Sequence, residues 1–393
     1  MKTVLKMLVC LSLVIIPMQV EANGRLREHI LAENPVRTGA DFSIVANLGN
    51  AASQEGLFTA PDNYGTSHFF RGTHQGLNNN VIFAGHQWKI LRIDGAGNIR
   101  LIYNGTCADN SCTINGNTAG AATSIQNSVF NIAANHNRFV GYMFGEAIGS
   151  FSEQHANINN SAVKNAVDGW FDTLTAEAKE LIVTTTYCAD RLVTSGTGLG
   201  TTSTDYAGVG RVETGRAPTL ECAQANDRIS LNAGLITIDE AAMAGNVWRE
   251  ANNDNFLRTS QVYWTMTPRR LTDGIVSNFH VATNGGLDRS DVAAASRGVR
   301  PVITINKDVG FEGTGTLTDP YIITELYEEV EPIPEPSNPE DNDQEETDEN
   351  EDILVNPQTS DFNVMLMIVT TTIALAGIWY STSRINAILS RNK

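Results

Sequence analysis

The chain has 393 residues, is 41% hydrophobic and 18% charged, and carries a formal net charge of −17. Fourteen Asp or Glu and no Lys or Arg fall within residues 325–352, so taking fourteen negative charges from −17 leaves −3 for the rest. The acidity belongs to one segment. That excludes a basic nucleic-acid-binding surface, and the ordinary apolar content of residues 57–324 excludes a wholly disordered chain.

At the N-terminus, Lys2 and Lys6 precede an apolar run, Met7 to Ile16, followed by Pro17. Val20-Glu21-Ala22 then puts small residues where an export peptidase reads them. The run is too short to span a bilayer, which takes about 20 residues. Cys10 lacks small residues just before it, which argues against a lipoprotein site. Residues 1–22 are therefore expected to be a signal peptide, against the alternative of an uncleaved anchor, and the mature chain starts near Asn23.

Residues 23–56 read as a short helix, Arg25 to Glu33, and a linker. A globular head is expected over 57–324. Residues 81–103 predict a hairpin turning at Gly95 and Gly97. Val163, Val167, Trp170, Phe171 and Leu174 fall on one face of a helix over 161–174. Thr175 is placed to cap the next helix. Gly234 to Ile236 reads as a strand. Thr237 then opens a helix with Glu240 three residues on, in capping-box order, and Gly245 closes it. Val262 to Met266, Ser277 to Thr283 and Val299 to Ile305 predict strands, with Asn284-Gly285-Gly286 as a turn. Strands and helices alternate without βαβ regularity, so the fold class is α+β with mainly antiparallel sheet and a few helices.

Export leaves four cysteines, Cys107, Cys112, Cys188 and Cys222, an even number that suggests disulfides. Three pairings are open. Cys188 with Cys222 is favoured, because it closes a long Gly- and Thr-rich loop. Zinc is the competing reading, and the absence of a CxxC pair counts against it.

Residues 325–355 read as an acidic, Pro-rich stalk. Pro332, Pro334, Pro336 and Pro339 alternate with acids and favour extended chain. Calcium binding is the alternative, without EF-hand order to support it. Val364 to Tyr380 holds no charged residue and is just long enough to cross a membrane. Arg384, Arg391 and Lys393 behind it place the C-terminus in the cytoplasm.

Asn356-Pro357-Gln358-Thr359-Ser360, ahead of that apolar span and basic tail, resembles the NPQT-type sorting motif of Gram-positive bacteria. The resemblance implies that a sortase cysteine attacks the carbonyl of Thr359 and that a cell-wall precursor resolves the thioester. A plain single-pass anchor is the alternative. Within the head, Tyr64–Gly72, Phe83–Ile93, Val140–Gly145, Thr184–Arg191, Gly234–Glu240, Tyr263–Pro268 and Gly298–Ile303 resemble a family of uncharacterised exported surface proteins of Gram-positive bacteria and their wall-less relatives. That family implies a location but no reaction. A Trp strand, a hairpin and a Gly-Val-Arg strand near the end are also similar to the ending of C-type-lectin-like folds.

Chemistry is sparse. No HExxH, GxSxG or P-loop occurs. His68 and His74 flank an Arg-Gly turn, where loop polarity is preferred to a metal pair, and His86 reads as structural. Asp190, Arg191, Asp239 and Glu240 are the carboxylate-side candidates for acid–base work, but Glu240 is already explained by its cap and Asp190-Arg191 by an ion pair or turn anchor. Arg300 reads as an internal clamp. Trp88, Trp170 and Trp264 read as core or strand residues, and Trp248, in a polar surround, as an exposed ligand contact. No catalytic residue, metal or cofactor is expected. The expected partners are a sortase, a cell-wall precursor, the membrane through 364–380 and an extracellular glycan or protein ligand. A surface polysaccharide hydrolase and a pilus-like component are the alternatives.

Overall fold

Short strands joined by tight turns dominate the chain between Val36 and Ile322. The computed structural model describes residues 24–108, 112, 120–294 and 296–327. The expected signal peptide, nearly all of the stalk, the motif Asn356–Ser360 and the apolar span 364–380 lie outside those residues. Among the described residues, no helix is long and apolar enough to cross a membrane.

The architecture is α+β and mostly sheet. One sheet runs Val36–Arg37, Gly56–Asp62, Gly65–Arg71, His86–Ile93, Ile99–Thr106, Val302–Ile305, Ala233–Gly234, with Asn80–Phe83 joined to His86–Ile93 and Tyr321–Ile322 joined in turn to Asn80–Phe83. A second runs Val193–Ser195, Thr204–Tyr206, Tyr263–Thr272, Ile275–Val281, Leu287–Asp291, and Arg297–Val299 pairs with Tyr263 from the side. Among the strands of the described residues, pairing is antiparallel except at three short contacts. Trp88, Leu101 and Val302 of the first sheet and Trp264, Phe279 and Val281 of the second belong to one continuous apolar core.

The helical signals resolve as expected. Ser161 caps Ala162–Asp172, whose Val163 and Val167 are buried. Thr175 caps Ala176–Glu180. Thr237 and Glu240 form the reciprocal box that opens Ile238–Met243. The N-terminal helix is Leu26–Glu33. Leu26 and Ile30 enter the main core.

Two strand expectations need correction. The single hairpin over 81–103 is two hairpins, because Ala84 and Gly85 both take positive φ (54° and 72°) and turn the chain between Asn80–Phe83 and His86–Ile93. Such a pair matches the twist of a two-residue hairpin turn. The strand Val299 to Ile305 is likewise two strands, one in each sheet, broken at Arg300-Pro301. Pro301 has no N–H for a ladder. Arg300 is wholly buried there and donates to Tyr103 O (2.9 Å), Leu257 O (2.9 Å) and Asn104 Oδ1 (3.2 Å), the internal clamp expected of it.

Candidate functional site

The chain places two disulfides, Cys188–Cys222 and Cys107–Cys112, so the favoured pairing and its complement both form. The first sits on the wall of a charged cleft. Asp62 ends the strand Gly56–Asp62 and spends one carboxylate oxygen on the amides of Tyr64 (2.8 Å) and Gly65 (3.1 Å), the other on Arg92 Nη1 (2.6 Å) and Gly95 N (3.0 Å). Glu240, at the start of its helix, receives Arg92 Nε at 3.1 Å and forms an ion pair with Arg100 Nε at 2.6 Å. Burial alone would raise the Glu240 carboxyl, but the guanidinium groups of Arg100 and Arg92 hold it below its ordinary value.

Arg211, on a single π-helical turn over Val209–Thr214, binds Asp239 twice (2.9 and 2.8 Å) and also reaches Asp190. Of the five lining carboxylates Glu221 is solvent-exposed, and the other four, Asp62, Asp190, Asp239 and Glu240, face three guanidinium groups. The imbalance falls on Asp190, whose pKa burial pushes up to about 6, with Arg211 opposing and Asp239 adding to the shift. Asp190 also has φ 53°, a backbone state that short polar side chains tolerate and most others do not. At the rim, Tyr64 Oη donates to Thr186 Oγ1 (2.8 Å) and accepts from Thr186 N (2.9 Å). The enclosed volume is about 20 Å³, room for a single water. Chemically the cleft is a filled ion-pair network with one carboxyl left to carry a proton.

A second hollow, of about 220 Å³, is lined by Phe151, Ser152, His155, Asn157, Gln224 and the Arg191–Asp227 pair, among others. Its helix, Phe151–Gln154, is fixed by a Ser150–Glu153 capping box. Arg191 Nε meets Asp227 Oδ1 at 3.3 Å, and Arg191 Nη1 donates to His155 O at 2.8 Å. The imidazole packs on Phe151, centroids 4.4 Å apart, and its Nε2 lies 3.3 Å from Gly198 O. Burial, reinforced by Arg191, lowers the His155 pKa to about 3, so the ring is neutral. With Nε2–H donating to the carbonyl, Nδ1 is an acceptor, and it has no hydrogen-bond partner.

The sequence candidates divide. Asp190, Asp239 and Glu240 meet in the first cleft, while Arg191 turns to Asp227 in the second, so Asp190 and Arg191 do not pair with each other. Trp248 is corrected: it is only 8% exposed, edge-on to Phe279 at 5.6 Å and under the Arg269 guanidinium at 5.4 Å. Its polar neighbours Arg249 and Glu250 face solvent while the indole turns inward. His74 Nδ1 lies 2.9 Å from Asp254 O and His68 sits in a ladder opposite Thr59. Among the described residues no cluster of His, Cys, Asp and Glu is arranged to hold a metal. His86 packs on Trp88, Tyr103 and Trp170, and its Nδ1 makes no hydrogen bond. The hollow is not legible in the sequence because the Phe151–His155 segment lies far along the chain from Arg191, Gln224 and Asp227 and shares no motif with them; the Ser150-x-x-Glu153 box is a local signal for its helix only. The chain matches no family model, no curated protein and no solved structure.

Proposed function

We propose that this chain is an exported surface protein that displays a ligand-binding head outside the cell, attached to the wall by a sortase acting at Thr359, and that the head holds a neutral saccharide unit in the hollow around Phe151 and His155. The observation that carries the binding reading is the contrast between the two depressions. The arginine cleft is closed by its own ion pairs, whereas the second hollow is open and offers about 220 Å³. Arg191 and Asp227 neutralise each other and His155 is uncharged, so a charged ligand finds no unpaired counter-charge there. The Phe151 ring beside the Ser152 hydroxyl and the Gln224 amide suits a sugar, with one apolar face and several hydroxyls.

The surface reading rests on the export-type N-terminus, the motif–span–cation order at the C-terminus and two disulfides, which persist in oxidising compartments. The likeness to exported proteins of Gram-positive bacteria and to the C-type-lectin-like ending belongs to the same reading. A glycan array on the exported chain, followed by calorimetry, tests it. Binding of neutral glycans, lost in Phe151→Ala, is the expected result. An array on which only polyanions or no glycans bind overturns the saccharide assignment. A surface hydrolase is the second reading, favoured by one carboxyl, Asp190, whose pKa near 6 suits a general acid. Its neighbours Asp239 and Glu240 are both bound by guanidinium groups, and Glu221, the lining carboxylate without an ion pair among the described residues, is solvent-exposed rather than held opposite it.

A further inference from the structure

Lys89 lies in the middle of His86–Ile93 with no exposed surface. It stands directly across the ladder from Asn80, on the hairpin turned at Ala84-Gly85. Its Nζ donates to Asn80 Oδ1. The Asn80 amide is fixed from its other end: Nδ2 donates to Gly315 O at 2.8 Å, and the backbone N of Asn80 reaches the same oxygen at 3.0 Å. Among the described residues no carboxylate forms an ion pair with Lys89. The charge that acts on it is another cation, Arg300, which is itself occupied by Tyr103 O, Leu257 O and Asn104 Oδ1.

An ammonium group held in a dry core with one acceptor and no counter-ion is an expensive arrangement. Burial, with Arg300 adding to it, lowers the Lys89 pKa to about 7. The buried group is therefore in large part a free amine near neutrality, and a desolvated amine is a nucleophile. The electrophilic carbon beside it is Cγ of Asn80.

We propose that Lys89 and Asn80 become joined by an intramolecular amide bond. The Nζ lone pair forms a bond to Asn80 Cγ, and the carbonyl π electrons move onto Oδ1. One Nζ proton passes to Nδ2, the Cγ–Nδ2 bond breaks as the carbonyl re-forms, and ammonia leaves. Nothing is oxidised or reduced and no co-reactant is consumed. Because the amine is in large part deprotonated near neutrality, no carboxylate is needed to generate the nucleophile, and the proton it sheds on forming the bond goes to the departing Nδ2. Cross-strand pairing supplies the proximity, which converts a bimolecular aminolysis into a step between two held groups. Burial keeps water from competing for the same carbon. The product replaces a buried amine that has no counter-ion with a neutral amide, so the reaction removes the cost that burial imposes on that group's protonation.

Intact-mass spectrometry of the full chain after disulfide reduction tests this without any variant. The expected mass is one ammonia, about 17 Da, below that of the same sequence. The loss should map to a tryptic peptide running from Gly72 to Arg92, left uncut at Lys89 because acylated lysine is not cleaved. A reduced chain at full sequence mass overturns the proposal. So does a loss that maps to Asn104-Gly105 or Asn284-Gly285, where the backbone can close on the side chain with the same mass change. Lys89→Met should carry the full mass, and persistence of the loss in that variant overturns the proposal as well.

Discussion

Asp190 shows how a single residue reports on the cleft around it. Its carboxyl is buried, shares Arg211 with Asp239 and keeps its proton up to about pH 6. A carboxyl whose folded pKa lies above its unfolded value binds more protons folded than unfolded across the interval between them. Its contribution is fully present below about 3.8 and is lost as pH rises through about 6. Asp190→Asn cannot ionise yet still offers Arg211 an oxygen, and Asp239 continues to hold that guanidinium. The variant is therefore expected to unfold at a higher temperature than the wild type at pH 7.5, and to lose most of the fall in stability between pH 4 and 6. Thermal melts at intervals across that range check both statements; parallel curves for the two proteins would show that the proton does not reside on Asp190. At this scale the sequence is least legible. Burial is set by partners distant in the chain, so polar neighbours made Trp248 look exposed. Nothing in the alternating strand pattern marks Lys89 as wholly buried.

Elements were easier to read where a local rule specifies them. Ser161, Thr175 and Thr237 cap the helices because a side-chain oxygen satisfies amides that the first turn leaves free. Strand breaks at Ala84-Gly85 and Arg300-Pro301 were not read. Ala rarely takes positive φ, and the change of sheet at Pro301 depends on what Arg300 clamps, at Tyr103, Asn104 and Leu257. The disulfides act at the same scale. Cys188–Cys222 spans a sequence separation of 34 and Cys107–Cys112 a separation of 5. In the chain-entropy account, stabilisation grows with the logarithm of loop length, giving about 4 kcal/mol for the first and about 2 kcal/mol for the second. Replacing Cys188 and Cys222 with Ser should lower the urea midpoint by clearly more than replacing Cys107 and Cys112. It should also loosen the cleft wall, because Asn63 donates to Cys222 Sγ at 3.1 Å and accepts from Cys222 N at 3.2 Å. Equal losses from the two double variants would mean that something other than loop closure sets their effect.

For the molecule as a whole, the proposed reading sets a direction across an envelope. The head ends its last strand at Ile322, and three residues later the acidic run of residues 325–352 begins. Like charges and prolines hold such a run extended, and a spacer of that kind serves a head only if its far end is fixed. Residues 356–393 supply the fixing in the proposed reading: Pro357 keeps Asn356 out of helix and presents an open segment to an enzyme, the uncharged 364–380 stretch halts in the bilayer, and Arg384, Arg391 and Lys393 hold the tail inside. A stop-transfer helix alone would leave the protein extractable by detergent, whereas transfer of Thr359 to a wall amine would not. In the native Gram-positive host, wild-type protein is accordingly expected to stay with the wall fraction after boiling in detergent and to be released by wall-degrading enzymes as a spread of sizes. Thr359→Ala removes the residue whose carbonyl is attacked without touching span or tail. It should move the protein to the detergent-soluble membrane fraction at its full length, and a variant that remained bound to the wall as firmly as the wild type would leave the sortase assignment without support.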